Sequence, residues 1–420
     1  MHRPLFTLGA CLAVVMSISP APVLAAESAA LIGHEVLSRS SQISLASVFE
    51  QAIKQAPESV LQQSAEEQAR AMQALARRWI VGAPSWQTSI VDDRLQTDQG
   101  LRELETGLAF DLWLPGQRRD ARALGEAYNQ RSAAWQSWLK WLIAGRLRTA
   151  MAEMETADLA LESATEIAQQ AERLLDTTRR LQRAGAASEL EVIQAETLWL
   201  QRQREQMAAA TARANAEREW QLLTGLNVRP DTHREAPGTL DSIQADHPLL
   251  ALRQSELAIS DAAVLAAERE ARGSPNLSVG LRRERGDWQQ PYINSAAISL
   301  SIPISSRAVV NAAGSEARAA RNESELARIQ DLRELNTLLQ QTQRELASVN
   351  AALPMAQREA ELGQRQQQMA QTAFETGEID LPEVILILQR AYESTLAYQQ
   401  MLLRQRHLES EYNQIVGVLP

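Results

Sequence analysis

The chain repeats its own landmarks at a spacing of nearly half its length. Pro57 and Pro84 return as Pro248 and Pro275, and Gly185 and Gly225 as Gly377 and Gly417, each about 190 positions further on, which is the signature of a fold built twice from one template. The neighbourhoods correspond as well. Gly185-Ala-Ala-Ser188-Glu-Leu-Glu191-Val192-Ile193 stands against Gly377-Glu-Ile-Asp380-Leu-Pro-Glu383-Val384-Ile385.

Within each copy the hydrophobic period switches from helix to strand and back. From Leu45 to Val81 apolar and alanine positions follow helical spacing, with Ser44 placed to cap the start and Pro57 placed to break the run into a short and a longer helix. Gly82-Ala83-Pro84 stops it. Leu104, Thr106, Leu108, Phe110, Leu112 and Leu114 then alternate with small or mostly polar residues, predicting a strand over 104–114 with a weaker partner over 85–95. After Pro275 the same pattern predicts strands over 276–284 and 293–302.

Leu114-Pro115 and Ile302-Pro303 each open a very long helical stretch; Gln117 to Ala184 as one helix would extend ~100 Å. The Gly185 turn reverses the chain into a helix over 188–224. Each half is therefore one long rod beside two rods of roughly half the length, with a bend expected where Pro354 interrupts the second long rod. The organisation predicted is a leader over 1–25, an extension over 26–43, a first repeat over 44–226, a linker over 227–246 holding Pro230, Pro237 and Gly238, and a second repeat over 247–420.

The leader reading rests on Arg3, an apolar run from Leu5 to Ile18, and Val23-Leu24-Ala25 as a cleavage site. Leu8-Gly9-Ala10-Cys11 resembles a lipobox, but the apolar run continues past Cys11, which favours cleavage near Ala25. Cys11 is the only cysteine, so that cleavage leaves no thiol for disulfides, catalysis or metal binding. A net charge of −10 offers no basic field for nucleic acid. Aromatics make up only 4% of the chain, and Ala, Leu, Gln, Glu and Arg dominate, a profile of long helices packed through small side chains.

No run after the leader reaches the ~20 apolar residues of a spanning helix, so entry into a membrane would have to be as strands. Strands of about ten residues tilted by ~40° give about 25 Å of height, the thickness of an outer-membrane apolar band. One chain cannot close such a barrel, whereas three copies would supply about twelve strands, and lipid tolerates no open sheet edge. The apolar faces, with Leu108, Phe110, Val279, Ile298 and Leu300, would then meet lipid, and Trp86, Trp113, Trp288 and Tyr292 would lie in interfacial girdles. The same pattern also suits a small soluble sheet packed on helices.

In this order of elements the chain resembles an outer-membrane factor of the TolC family over about 44–419, through the duplicated helix, hairpin, long helix and return helix and the Gly185 and Gly377 turns. The resemblance implies a mainly α chain with a small transmembrane β part, assembling as a homotrimer. Its twelve strands would form a barrel in outer-membrane lipid, and its helices a tunnel through the periplasm. It implies a passive exit channel and no enzyme, served by a periplasmic membrane-fusion adaptor and an inner-membrane pump of the RND type. The compact length resembles the CzcC-like heavy-metal branch, which points to metal cations or small toxic compounds as cargo. A type I protein secretion channel would share the architecture, and a soluble periplasmic coiled-coil scaffold would share the helices.

The family closes its tunnel and meets its adaptor at the periplasmic turns, which map here to Gly185, Ser188 and Leu190 and to Gly377, Asp380 and Leu381. It often carries acids six positions after each turn glycine, making Glu191 and Glu383 the gate candidates; the second family acid is replaced by Leu386. Ser188 and Asp380 also read as ordinary helix N-caps. Trp135, Trp138 and Trp141 read as helix packing. His34, His233, His247 and His407 are scattered without a metal-ligand spacing, and no cofactor motif or nucleophile elbow occurs.

Overall fold

The computed structural model describes residues 37–420 apart from positions 96 and 232; the predicted leader, with Cys11, lies outside the described residues. In chain order the elements are β1 (Ser38–Ser40), α1 (Leu45–Gln55), α2 (Ser59–Arg77), β2 (Ser85–Asp92), β3 (Arg102–Asp111), α3 (Gln117–Arg183), α4 (Glu189–Thr224), β4 (Val228–Pro230), α5 (Pro248–Glu270), β5 (Asn276–Arg285), β6 (Ile293–Ser301), α6 (Arg307–Thr376) and α7 (Leu381–Ile415). The helix–hairpin–helix–helix order thus occurs twice.

The helices form an elongated body with a β-sheet at one end and two helical turns at the other. The long rods α3 and α6, of 67 and 70 residues, extend ~100 Å each. Along α3, α2 packs towards the sheet end and α4 towards the turn end; α5 and α7 divide α6 in the same way, and α3 also touches α5 and α7. Small residues permit the close spacing. A Cβ on Gly363 of α6 would lie 3.1 Å from the Ala391 Cα of α7.

Local chemistry explains most boundaries. The Ser44 side chain accepts the Ser47 amide to start α1, and Pro57 falls in the gap before α2, as its missing N–H requires. Pro354 lies inside a continuous helix. It does not interrupt α6, which is helical from Arg307 to Thr376. A proline inside a helix costs roughly 3 kcal/mol, and packing along α7 offsets this. The strands are also shifted from the expected limits. β2 ends at Asp92 because the Asp93 carboxylate folds the loop onto itself, accepting from the Gln99 amide at 2.7 Å and the Gly100 amide at 3.3 Å. β3 runs two residues earlier than expected and ends at Asp111, with Leu112 making an isolated bridge to Ile80.

Half-way along the rods, α1, the middle of α3 and the end of α4 enclose a core of Val48, Phe49, Ile143, Leu147, Met151, Met154 and Trp220. Trp220 is fully buried and donates its indole N–H to the Val228 carbonyl at 3.1 Å. Burial of one indole contributes roughly 5 kcal/mol of gross transfer free energy. Beside this core β1 and β4 pair in parallel. This small sheet draws one strand from the predicted extension and one from the predicted linker, a pairing no local pattern announces.

Candidate functional site

Two regions carry the chemistry expected of this chain: the sheet and the paired helical turns at the opposite end. The sheet has the order β2-β3-β5-β6, so the two repeats meet along β3 and β5. Its register sorts the side chains into two unlike faces. Trp86, Leu108, Val279 and Ile298 lie in one cross-strand row, and Gln87, Gly107, Gly280 and Ala297 in the next, on the other face. The first face continues through Ile90, Leu104, Leu281 and Leu300, all exposed. The second continues through Ser89, Glu105, Ser278 and Ser299.

Curvature decides which face is the inner one. A Cβ on Gly107 would lie 2.6 Å from the Val279 carbonyl oxygen, and one on Gly280 2.5 Å from that of Thr106. The strands therefore approach most closely on the polar face at this glycine pair, as in a sheet that curls with its apolar face outward and convex. The outer strands β2 and β6 each have one edge without a partner among the described residues. Trp86 and Trp113 stand at the helix end of the sheet, Trp113 donating its indole N–H to the Arg78 carbonyl at 3.0 Å. Trp288 and Tyr292 stand at the loop end. Trp288 joins the two hairpin loops by donating its backbone N–H to the Gln99 carbonyl at 3.1 Å and its indole N–H to the Asp98 carbonyl at 3.0 Å.

At the far end, the two turns are built alike. Gly185 and Gly377 adopt φ of 78° and 77°, a left-handed conformation that side chains other than glycine's resist. In each turn an amide reaches five residues back, Ala186 to the Leu181 carbonyl and Glu378 to the Ala373 carbonyl, completing Schellman-type stops. Ser188 and Asp380 then cap the return helices by accepting the amides of Glu191 and Glu383 at 3.3 and 3.1 Å.

The two acids behind these caps differ. Glu191 closes a capping box: its Oε2 accepts from the Ser188 amide at 2.6 Å and from the Ser188 hydroxyl at 2.8 Å. These bonds, with a smaller influence from the Leu381 backbone of the other turn, hold its carboxyl below the ordinary range. Glu191 thus braces the start of α4, beside the start of α7. Glu383 is exposed and its carboxylate makes no hydrogen bond or ion pair among the described residues. Leu381 also departs from the exposed turn residues it was grouped with. It is fully buried with Val384 in a cluster with Leu174, Leu175, Ala195, Ala370, Phe374 and Leu388, which packs both helical hairpins together. Leu190 and Ile193 remain exposed on α4.

The structure adds a polar girdle at mid-body that sequence reasoning missed. Arg148, with only 5% of its side chain exposed, pairs with both oxygens of Glu235 at 2.9 and 2.8 Å and donates to the Gln414 side chain at 2.6 Å and the Val418 carbonyl at 3.0 Å. Burial opposes ionisation of Glu235, but His233, Arg148 and Asn413 overrule it and lower its pKa to about 2. Nearby, Asp158 receives Arg39 and Arg213, each at 3.0 Å, and Arg229. Glu155 receives the His407 ring at 3.3 Å. Trp141 donates its indole N–H to the Gln414 carbonyl at 2.7 Å, and the tilted rings of Trp135 and Trp138 touch with centres 4.6 Å apart, so all three tryptophans pack. Among the described residues no group of three His, Cys, Asp or Glu is placed to hold a metal ion.

Compared with solved structures, the chain superposes on the outer-membrane channel CmeC of Campylobacter jejuni at a TM-score of 0.70, with 14% identity over 89% of this chain and 85% of that one. The fold is that of an outer-membrane channel. VceC, an outer-membrane protein of Vibrio cholerae, gives 0.71 at 13% identity over 90% and 97% of the two chains. The open-state MtrE channel of Neisseria gonorrhoeae gives 0.64 at 14% identity over 89% of each. No family model matches the sequence. No curated protein matches it. At identities this low the likeness resides in the fold, and the sequence of elements read from the duplication is the part of the chain that carries it.

Proposed function

We propose that the chain is one protomer of a trimeric, passive exit channel of the outer membrane, the last component of a tripartite efflux system. One observation carries the proposal: a curled four-stranded sheet with an apolar convex face, a polar concave face and two unpartnered edges, mounted on ~100 Å rods. Lipid accepts such a sheet only when its edges are closed, and three copies, about twelve strands, form a closed wall. No helix among the described residues is long and apolar enough to cross a membrane, so the sheet is the part fitted to it.

In this reading the rods enclose a duct below the barrel, and the paired turns are its periplasmic mouth. Glu383 presents a free carboxylate there, while Glu191 braces the first turn beside the second; opening separates packed hairpins, a shift between two packings. The exposed turn residues Gly185, Ser188, Leu190, Gly377 and Asp380 meet a membrane-fusion adaptor, and an RND-type inner-membrane pump supplies the energy. Cargo is metal cations or small toxic compounds, and the protein performs no chemistry on it. Membrane fractionation followed by mass measurement in detergent tests the core of the proposal. A trimer extracted only with detergent supports it, and a soluble periplasmic monomer refutes it. Loss of resistance to a panel of metal salts and small toxicants on deletion, restored by the full-length gene, identifies the cargo class.

A further inference from the structure

The loop end of the sheet carries an uneven distribution of charge. On the convex face, Arg102 and Arg285 oppose one another across β3 and β5, and Arg283 lies one row inward opposite Leu104. Neither Arg283 nor Arg285 has a carboxylate within ion-pair distance among the described residues; Arg102 has one, Asp92, at 3.3 Å. The concave face at the same level serves as an internal control. There Arg282 is paired twice, with Glu103 at 2.8 Å and Glu284 at 2.7 Å. Neutralisation is thus complete on the inner face and, on the outer one, confined to Arg102.

Aromatic rings hold the unpaired cations in place. The Arg283 guanidinium lies 4.4 Å from the Tyr292 ring centre, and Arg285 lies 4.4 Å from Trp288 and 4.9 Å from Tyr292. Arg102 approaches Trp288 at 5.6 Å. A guanidinium laid on a ring keeps its in-plane N–H donors for a planar or tetrahedral anion. Arg285 uses Nε on the Gly100 carbonyl at 3.0 Å, while its Nη2 is buried beside the rings and has no acceptor among the described residues. Two of the three nearby loop acids are occupied elsewhere, and the third, Asp98, makes no ion pair with these arginines. Asp93 accepts from Thr97, Gln99 and Gly100, and Asp287 from Gln289 and Gln290.

The position of this cluster selects its ligand. On β3 the apolar face extends from Leu112, the bridge residue just past the strand, to Leu104, which at ~3.3 Å per residue and ~40° tilt spans about 20 Å, and Arg102 follows beyond Leu104 on the same face. The arginines therefore stand at the outer rim of the apolar band, on the face turned to lipid. We propose that Arg102, Arg283 and Arg285, braced by Trp288 and Tyr292, bind the phosphate groups of an anionic lipid headgroup in the outer surface of the bilayer. This rests on the barrel reading above. Charge-assisted contacts from two or three guanidinium groups are directional as well as strong, so the site distinguishes a phosphorylated headgroup from a zwitterionic one.

The test uses the full chain reconstituted into phosphatidylcholine liposomes doped with diphosphoryl lipid A, and reads lipid retained on the repurified oligomer by mass spectrometry. Diphosphoryl lipid A should be enriched on the oligomer about tenfold over its share of the bilayer, and R283Q/R285Q should abolish the enrichment. R358Q, an exposed helix arginine, should leave it unchanged. R283K/R285K, which keeps charge but not the flat stacked fork, should retain part of it. Equal retention by wild type and R283Q/R285Q overturns the site. Displacement of the lipid by millimolar inorganic phosphate assigns the cluster to free phosphate and overturns the lipid assignment. If R283Q/R285Q fails to assemble, R283Q alone is read. Conductance of the same liposomes keeps the two levels apart: a conducting oligomer without lipid preference refutes only the site, and a chain that never enters the bilayer refutes the barrel reading with it.

Discussion

Glu191 and Glu383 occupy equivalent positions in the two repeats, yet their surroundings predict different consequences of removing each. Glu191→Ala deletes the acceptor of the Ser188 amide and hydroxyl and the smaller interaction with the Leu381 backbone. Loss of a capping-box carboxylate costs about 1–2 kcal/mol, so the local opening equilibrium of the first turn should rise by a factor of roughly 5–30. Hydrogen exchange of peptides covering 181–195 and 376–388 in the detergent-solubilised protein should accelerate by that factor. Protection along mid-body α3 should not change. Glu383→Ala removes an exposed carboxylate without hydrogen-bond partners, so exchange at the same peptides should remain within twofold of wild type. In planar bilayers the double variant should conduct more than wild type, with E191A acting through opening frequency and E383A through the charge at the mouth. Unaltered exchange in E191A would show that the carboxylate does not brace the turn. Unaltered conductance in the double variant would remove both acids from the gate.

The mid-body girdle predicts a sharper effect on stability. R148M leaves the Glu235 carboxylate without its bidentate partner and should lower stability by about 3–5 kcal/mol, whereas R358A, in a pair whose side chains are 62% and 48% exposed, should change it by less than about 0.5 kcal/mol; thermal unfolding of the two variants measures the contrast. Acid should destabilise the fold in two stages. His247, whose pKa burial lowers to about 4, takes up a proton more readily in the unfolded chain below its ordinary value, so stability falls between pH ~6.5 and about 4. The Glu235 contribution is complete above the ordinary carboxyl range and is lost as pH falls towards about 2. H247N should flatten the upper limb of stability against pH and E235Q the lower. G107V places a branched side chain where even a Cβ would lie 2.6 Å from a cross-strand carbonyl; the oligomer on semi-native gels should disappear while the helical circular dichroism persists.

Much of the architecture was legible because it depends on local chemistry repeated twice. Helical period, strand alternation and the left-handed demand of Gly185 and Gly377 are properties of neighbouring residues, and the duplication checked each against its counterpart. The apolar and polar strand faces followed from alternation alone. Pro354 shows the limit of local reasoning: its penalty is real, but a 70-residue helix packed along its length withstands it. Leu381 shows another, since nothing in the turn sequence distinguishes an exposed leucine from one buried among four helices.

The sequence by itself determined the elements, their order, the two-sidedness of the strands and the positions of the paired turns, all of which are written in residues close together in the chain. Only the tertiary structure decided which way the sheet curls, because that depends on Gly107 meeting Gly280 across β3 and β5. It also decided that Arg39, Arg213 and Arg229 converge on Asp158 and that Arg148 reaches Glu235. It left the Arg283 and Arg285 guanidinium groups unpaired on the convex face. Charges far apart in sequence interact through space, and their pairing is fixed only when the rods and strands that carry them are set side by side.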